Sequence, residues 1–133
     1  MAEALPFDEK EWNRFVQERR DYWDAGGPDS GRSMPRISGQ RLTGQLSKGE
    51  DWSYSDFENC DLAGADLESA NLQHCYLKNT DLTGANLKGA DLTGAILTEA
   101  DLRRANLHRA NLHRAILSGA NLPINWREQV SAY

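Results

Sequence analysis

No apolar run in this sequence approaches the roughly 20 residues that a membrane-spanning helix needs, and mean hydropathy is −0.70. The opening stretch MAEALPFDEKEW has neither the basic nor the apolar region of a signal peptide. These two absences lead us to expect a soluble, cytoplasmic chain with no membrane partner. Excess positive charge is also missing: 20 Asp and Glu outnumber 15 Lys and Arg for a net charge of −5. That mild acidity argues against a general nucleic-acid binder. Cysteine is scarce, and Cys60 and Cys75 alone make no disulfide framework. No phosphate-binding loop, nucleophile motif or Cys-x-x-Cys pair occurs.

What the sequence has in abundance is repetition. From Ser55 to Pro123 it runs in units of five, as in CDLAG-ADLES-ANLQH-CYLKN-TDLTG-ANLKG-ADLTG-AILTE-ADLRR-ANLHR-ANLHR-AILSG-ANL. Each unit has a small residue, usually Ala, then usually Asp or Asn, then a central Leu and two variable residues. The centres begin at Phe57 and continue as Leu62, Leu67, Leu72 and onward in steps of five to Leu122. Neither a 3.6-residue helix nor a two-residue strand keeps such positions equivalent over this distance. A solenoid in which each unit forms one side of a coil keeps every centre inside. The small slot holds Cys60 and Cys75 where other units have Ala, so both should be buried free thiols rather than reactive cysteines.

The tandem, unbroken register of these units resembles the pentapeptide-repeat family, whose motif is A(D/N)LXX. The resemblance covers residues 55–123. It implies an all-β solenoid, a right-handed quadrilateral parallel β-helix with four units and twenty residues per coil. In that fold the centre and the small residue point inward and the other three positions outward. Fourteen centres from Phe57 to Leu122 then make three and a half coils, about 17 Å long at the parallel-strand spacing. Gly64, Gly84, Gly89, Gly94 and Gly119 share the last slot, where a corner wants relaxed backbone angles.

The phase continues upstream in weakened form. Ile37, Leu42, Ser47 and Trp52 fall in step, so residues 36–54 are expected to be a degenerate first coil. Residues 29–35, DSGRSMP, read as a linker. The N-terminal segment 1–28 is expected to hold an α-helix over residues 7–25. Asp8 would cap it with Glu11 completing a capping box, Phe7 and Trp12 would form a staple, and Ala25-Gly26-Gly27-Pro28 would stop it. Trp12, Phe15, Val16, Tyr22 and Trp23 share one face, suited to covering an open solenoid end. At the other end Pro123 halts the repeat, and Ile124, Trp126 and Val130 within residues 124–133 are placed to form a short C-terminal cap.

The many Asp residues invite an acid–base reading, but they alternate with Asn in one outward slot. A role that Asn fills equally well is hydrogen bonding rather than proton transfer. His108 and His113 match no usual metal spacing. A narrow Leu-packed coil leaves no pocket of ligand size. We therefore expect no enzyme, no cofactor, no metal and no small-molecule substrate.

Sorting the outward residues by twenties exposes the departures. The slot before the centre holds Asp or Asn in eleven of fourteen units, and the exceptions are Tyr76, Ile96 and Ile116. Their spacing should stack them in one apolar column, to be covered either by the N-terminal helix or by a partner or second copy. Arg103, Arg104, Arg109 and Arg114 gather in one coil and offer a basic docking face for an acidic partner. The leading functional expectation is a non-catalytic protein–protein interaction or scaffold module in a bacterial cytoplasm, with a protein partner and a homodimer as an option. The alternative implied by the resemblance is a DNA-mimicking modulator or protector of DNA gyrase. Against it, residues 55–123 carry nine acidic and six basic side chains, a sparse copy of a duplex with one charge per roughly 1.7 Å. The ten residues after Pro123 are also short for the dimerising helix such mimics use.

Overall fold

The computed structural model describes residues 4–133; residues 1–3 of the expected N-terminal segment lie outside the described residues. Parallel backbone bridges join residues twenty apart along four ladders. These are Asp61–Asp81–Asp101, Asp66–Asn86–Asn106, Asn71–Asp91–Asn111 and Tyr76–Ile96–Ile116. The four ladders are the sides of a coil, and the chain is a solenoid of stacked coils. Each unit contributes one bridging residue, then an inward centre, then a turn. The turn closes when the small residue of the next unit donates its N–H to the central carbonyl, as from Ala90 to Leu87 at 3.0 Å.

The third turn residue has positive φ in every unit from the Phe57 centre to the Leu117 centre, as a type II turn demands. Glycine fills that slot at Gly64 or Gly84, but Tyr54, Asn59, Ser69, His74, Asn79, Glu99, Arg104, Arg109 and Arg114 adopt it as well. The solenoid therefore imposes the conformation and glycine only eases it. Because the turn takes two of every five residues, too few remain for a continuous strand. Among the described residues the walls are isolated bridges, not the regular strands that an all-β fold led us to expect.

Every centre from Phe57 to Leu112 is at most 1% exposed. The outward Asp and Asn residues hold the turns. Ten of the eleven accept from the backbone N–H two residues on, at 2.9–3.3 Å. The eleventh, Asn121, faces Pro123, which has no N–H to give. In the small slots, Cys60 and Cys75 donate their thiols to the carbonyls of Ile37 and Trp52 at 2.9 and 3.0 Å. Burial pushes both thiols up to about 12.

The weak upstream units join the stack through bridges Arg36–Asp56, Arg41–Asp61 and Asp51–Asn71. One of them departs from the expected phase, because Leu46 rather than Ser47 fills the interior. Leu42, Leu46 and Trp52 are spaced four and six, so burial of Leu46 overrides the local count and the phase then recovers. The coil also starts earlier than position 36: Pro35 is buried in a small slot and accepts the Asp56 N–H at 2.9 Å. Part of the expected linker is ordered as a 3₁₀ turn, Gly27–Ser30.

Helix α1 spans Glu9–Asp24, and Asp8 caps it by accepting from Lys10 and Glu11. Only half of the expected capping box forms. The Glu11 carboxylate pairs with Arg14 at 2.6 Å, and the Asp8 N–H donates instead to Gln40 Oε1 at 3.2 Å. The buried stripe is Phe15, Arg19 and Tyr22, with Trp12 and Val16 half-buried beside it. Trp23, expected on the same face, sits one residue round the helix from Tyr22 and is 39% exposed. Phe15 meets Phe57 at 5.5 Å between centroids, and Trp12 meets Trp52 at 5.5 Å. The helix thus closes the N-terminal mouth of the coil.

Arg19 is the contact that helical periodicity did not single out. Its guanidinium donates to the carbonyls of Asp51 and Ser53, both at 2.9 Å, and to Ser55 Oγ, and it lies 5.3 Å from the Trp52 ring centroid. Burial lowers its pKa from the usual arginine value. Leu5 flanks the same edge, donating to Gly39 and accepting from Arg41. These groups take up part of the first coil's exposed backbone.

At the other end α2 is a single turn, Trp126–Gln129. Trp126 and Val130 pack on the core, but Ile124 is 86% exposed and takes no part in the cap expected of it. The tail beyond α2 adds itself to the coil: Ser131 donates to Ala110, and Leu112 donates to Ala132, each at 2.8 Å.

Leu87→Ala, at the centre of the stack, should cost about 2–5 kcal/mol, because Leu ladders above and below leave little room to collapse. Chemical denaturation checks this, and a cost under 1 kcal/mol would contradict the packing described. Cys60 and Cys75 should stay unreactive toward a thiol reagent in the native protein and react together on unfolding. Rapid native labelling of either would contradict their burial.

Candidate interaction surfaces

Asp56, Tyr76, Ile96 and Ile116 follow one another along a single ladder of bridges, so the three exceptions share one wall. Tyr76 is 44% and Ile116 47% exposed, with Ile96 half-buried between them. At one end the wall is closed by Arg36, 3.5 Å from Asp56. Each exception also gives up a bond, since among the described residues no side chain caps the N–H of Lys78, Thr98 or Ser118 as Asp and Asn do elsewhere. A bond of this kind contributes roughly 0.5–1.5 kcal/mol. Helix α1 does not lie over this wall. Its rings meet Trp52 and Phe57 at the coil's mouth, which removes an intramolecular lid as the cover.

The corner beside this wall carries a second feature that the five-residue phase concealed. Trp23 packs against Tyr54 at 5.9 Å, and Tyr54 stacks on His74 at 4.7 Å and 29°. The His74 ring then lies over Gly94, where an added Cβ would come within 2.5 Å of it. Tyr54, His74, Gly94 and Arg114 are spaced by twenty, so the signal was present once the last slot was sorted as the slot before the centre had been. The apolar wall is therefore bordered by an aromatic ladder that climbs toward α1.

The four arginines are less uniform than their clustering in sequence implies. Arg103 is held by Asp101, with Nη2 2.5 Å and Nε 2.9 Å from its two carboxylate oxygens, and this keeps the Asp101 carboxyl below the usual carboxylate range. Arg104, Arg109 and Arg114 occupy the last slots of three successive units. They stand at three corners around one layer rather than side by side on one wall. All three are exposed, as are His108 and His113 in the intervening turns.

The pentapeptide-repeat family model matches residues 53–89 and 85–122 with eight copies of the repeat. No curated protein matched the chain. Among solved structures, the chain is similar to alr5209, a pentapeptide repeat protein from Nostoc PCC 7120, at 24% identity and a TM-score of 0.51, over 99% of this chain and 100% of that one. It is also similar to the pentapeptide repeat protein Rfr23 from Cyanothece 51142, at 28% identity and a TM-score of 0.48, over 80% of this chain and 66% of that one. A third is HetL of Nostoc sp. PCC 7120, described as involved in heterocyst differentiation regulation, at 31% identity and a TM-score of 0.35, over 69% and 44%. The chain thus spans under two thirds of the lengths of Rfr23 and HetL. With the family model covering more than half of its residues, in the register that the bridges follow, the protein belongs to the pentapeptide-repeat family.

Proposed function

We propose that this protein is a non-catalytic interaction module, a rigid right-handed quadrilateral β-helix that presents one apolar wall to a protein partner. The carrying observation is the Tyr76–Ile96–Ile116 ladder. Three outward positions on one side replace a turn-holding Asp or Asn with an apolar residue, and among the described residues Tyr76 and Ile116 stay exposed and Ile96 half-exposed. An exposed apolar stripe next to stacked aromatics has the composition of an interface centre. The chemistry points the same way. The repeated carboxylates are committed to turns, and the two thiols are buried and donate to carbonyls. Buried free thiols also suit a reducing, cytoplasmic setting.

The test is capture of binding partners from cell extract by wild-type protein and by Ile96→Asp, with the folding of both measured in parallel. Ile96→Asp restores one of the two residues, Asp or Asn, that eleven of the fourteen units carry, so its stability should stay within about 0.5 kcal/mol of wild type. Captured partners should be lost, or a change in oligomeric state should appear if the partner is a second copy. Collapse of the fold, or unchanged capture and unchanged oligomeric state, would overturn the proposal.

A further inference from the structure

The two ends of the solenoid are finished to different degrees. At the N-terminal edge the Arg19 guanidinium, Arg14 and Leu5 take up backbone groups of Asp51, Ser53, Arg36, Gly39 and Arg41, and the aromatic face of α1 covers the mouth. At the C-terminal edge the tail covers only two of the four sides. Gln129 accepts the Arg109 N–H at 2.7 Å, its side chain accepts from Leu107, and Ser131 and Ala132 pair with Ala110 and Leu112. The remaining half-coil, 115–122, has no such neighbour. From Trp52 to Leu102 every central N–H donates to the coil above, as Leu97 does to Ile116 and Leu102 to Asn121. Among the described residues, the N–H groups of Leu117, Gly119 and Leu122 and the carbonyls of Ala115 and Ala120 have no counterpart of that kind. Leu117 and Leu122 are also only half-buried, whereas the centres below them are sealed.

We propose that this open rung binds an extended, acidic segment of a partner protein, which adds the missing layer above Ala115–Leu122. The inference rests on the reading of the protein as an interaction module and supplies a second, separate contact on it. The mode of docking is already displayed by the chain itself, because the tail at residues 129–132 pairs with the adjoining sides as an added rung. Added strands of this kind gain affinity from main-chain hydrogen bonds and specificity from alternate side chains. Here the inward side chains of the guest would cover Leu117 and Leu122, and an outward apolar one would extend the Ile116 wall.

Charge selects the guest. Arg104, Arg109 and Arg114 stand exposed at three corners of the last layer, Arg103 is paired with Asp101, and the fourth corner carries Glu99, whose carboxylate lies against Gly119. Residues 1–68 carry 15 Asp and Glu against eight Lys and Arg. A second copy stacked end to end through this rung would bring two basic layers face to face. Its acidic end is closed by α1. An acidic segment whose carboxylates fall at the Arg104 and Arg114 corners, with an uncharged residue at the Glu99–Gly119 corner between them, meets neither conflict.

The probe is a fluorescein-labelled peptide of about ten residues alternating Glu with Val or Leu. Its partners in the assay are a Lys-for-Glu version and a version N-methylated at the amides of one edge. Binding is read by anisotropy and by amide hydrogen exchange on the full chain. Leu117, Gly119 and Leu122 should exchange quickly in the free protein and slow with the acidic peptide. The Lys peptide should bind at least about tenfold more weakly. The N-methylated peptide should bind more weakly on the edge that pairs, and Arg104→Glu with Arg114→Glu should reverse the charge preference.

Protection of those amides without peptide, together with a dimer by light scattering, would overturn the proposal in favour of a second copy. Absence of protection with every peptide would overturn it too, and Ile96-dependent capture would then leave the wall reading standing. Peptide protection with no Ile96-dependent capture would support the rung and remove the wall.

Discussion

Everything in this molecule depends on one distance in sequence. Because the backbone bridges itself at a separation of twenty, each residue sits above its counterpart, and the interior admits one central side chain per side of each layer. That constraint selects Leu at the centre and a small residue two positions earlier. It also selects an acceptor one position earlier that can hold the turn. Burial supplies the favourable free energy, but the turn fixes the register in which burial occurs. Nine residues other than glycine accept positive φ in the last slot for the sake of that register, a conformation that costs L-residues roughly 1 kcal/mol or more.

A fold so uniform divides its residues into two kinds. Leu, Ala, Asp and Asn maintain the coil and are nearly interchangeable from layer to layer. The residues that break the pattern lie in three places: the Tyr76–Ile96–Ile116 wall, the Tyr54–His74 corner, and the two ends. The ends solve one problem in different ways. Arg19 and the aromatic face of α1 close the first coil with a desolvated cation and ring contacts, while the tail closes half of the last coil with backbone. What stays open lies beside Ile116, so the apolar wall and the unpaired rung meet at one corner of the molecule.

Much of this was legible in the sequence, because a solenoid turns a one-dimensional period directly into three-dimensional neighbours. The stacking of Tyr76, Ile96 and Ile116 required only counting by twenties. The same arithmetic, applied to the last slot, places Tyr54 over His74. Other features were hidden for physical reasons. Leu46 displaces Ser47 because burying a leucine outweighs keeping phase in a weak unit. Arg19 reads as a surface charge until the open carbonyls of Asp51 and Ser53 are placed before it. Arg103 reads as free until Asp101 claims it. Ile124 looks like a cap by composition, yet the chain leaves the coil at Pro123 pointing it outward. In each case a local pattern was overruled by a partner far away in sequence.

The central claim is that the apolar wall is carried for binding and not for folding. Replacing Tyr76, Ile96 and Ile116 together by Asn restores the repeat on all three layers, and the equilibrium stability of that triple variant tests the claim most directly. Each Asn can take back the turn hydrogen bond to Lys78, Thr98 or Ser118. The account therefore predicts stability equal to wild type or higher, by up to about 1 kcal/mol per site. A loss of several kcal/mol would show that the wall belongs to the fold, and would contradict the account.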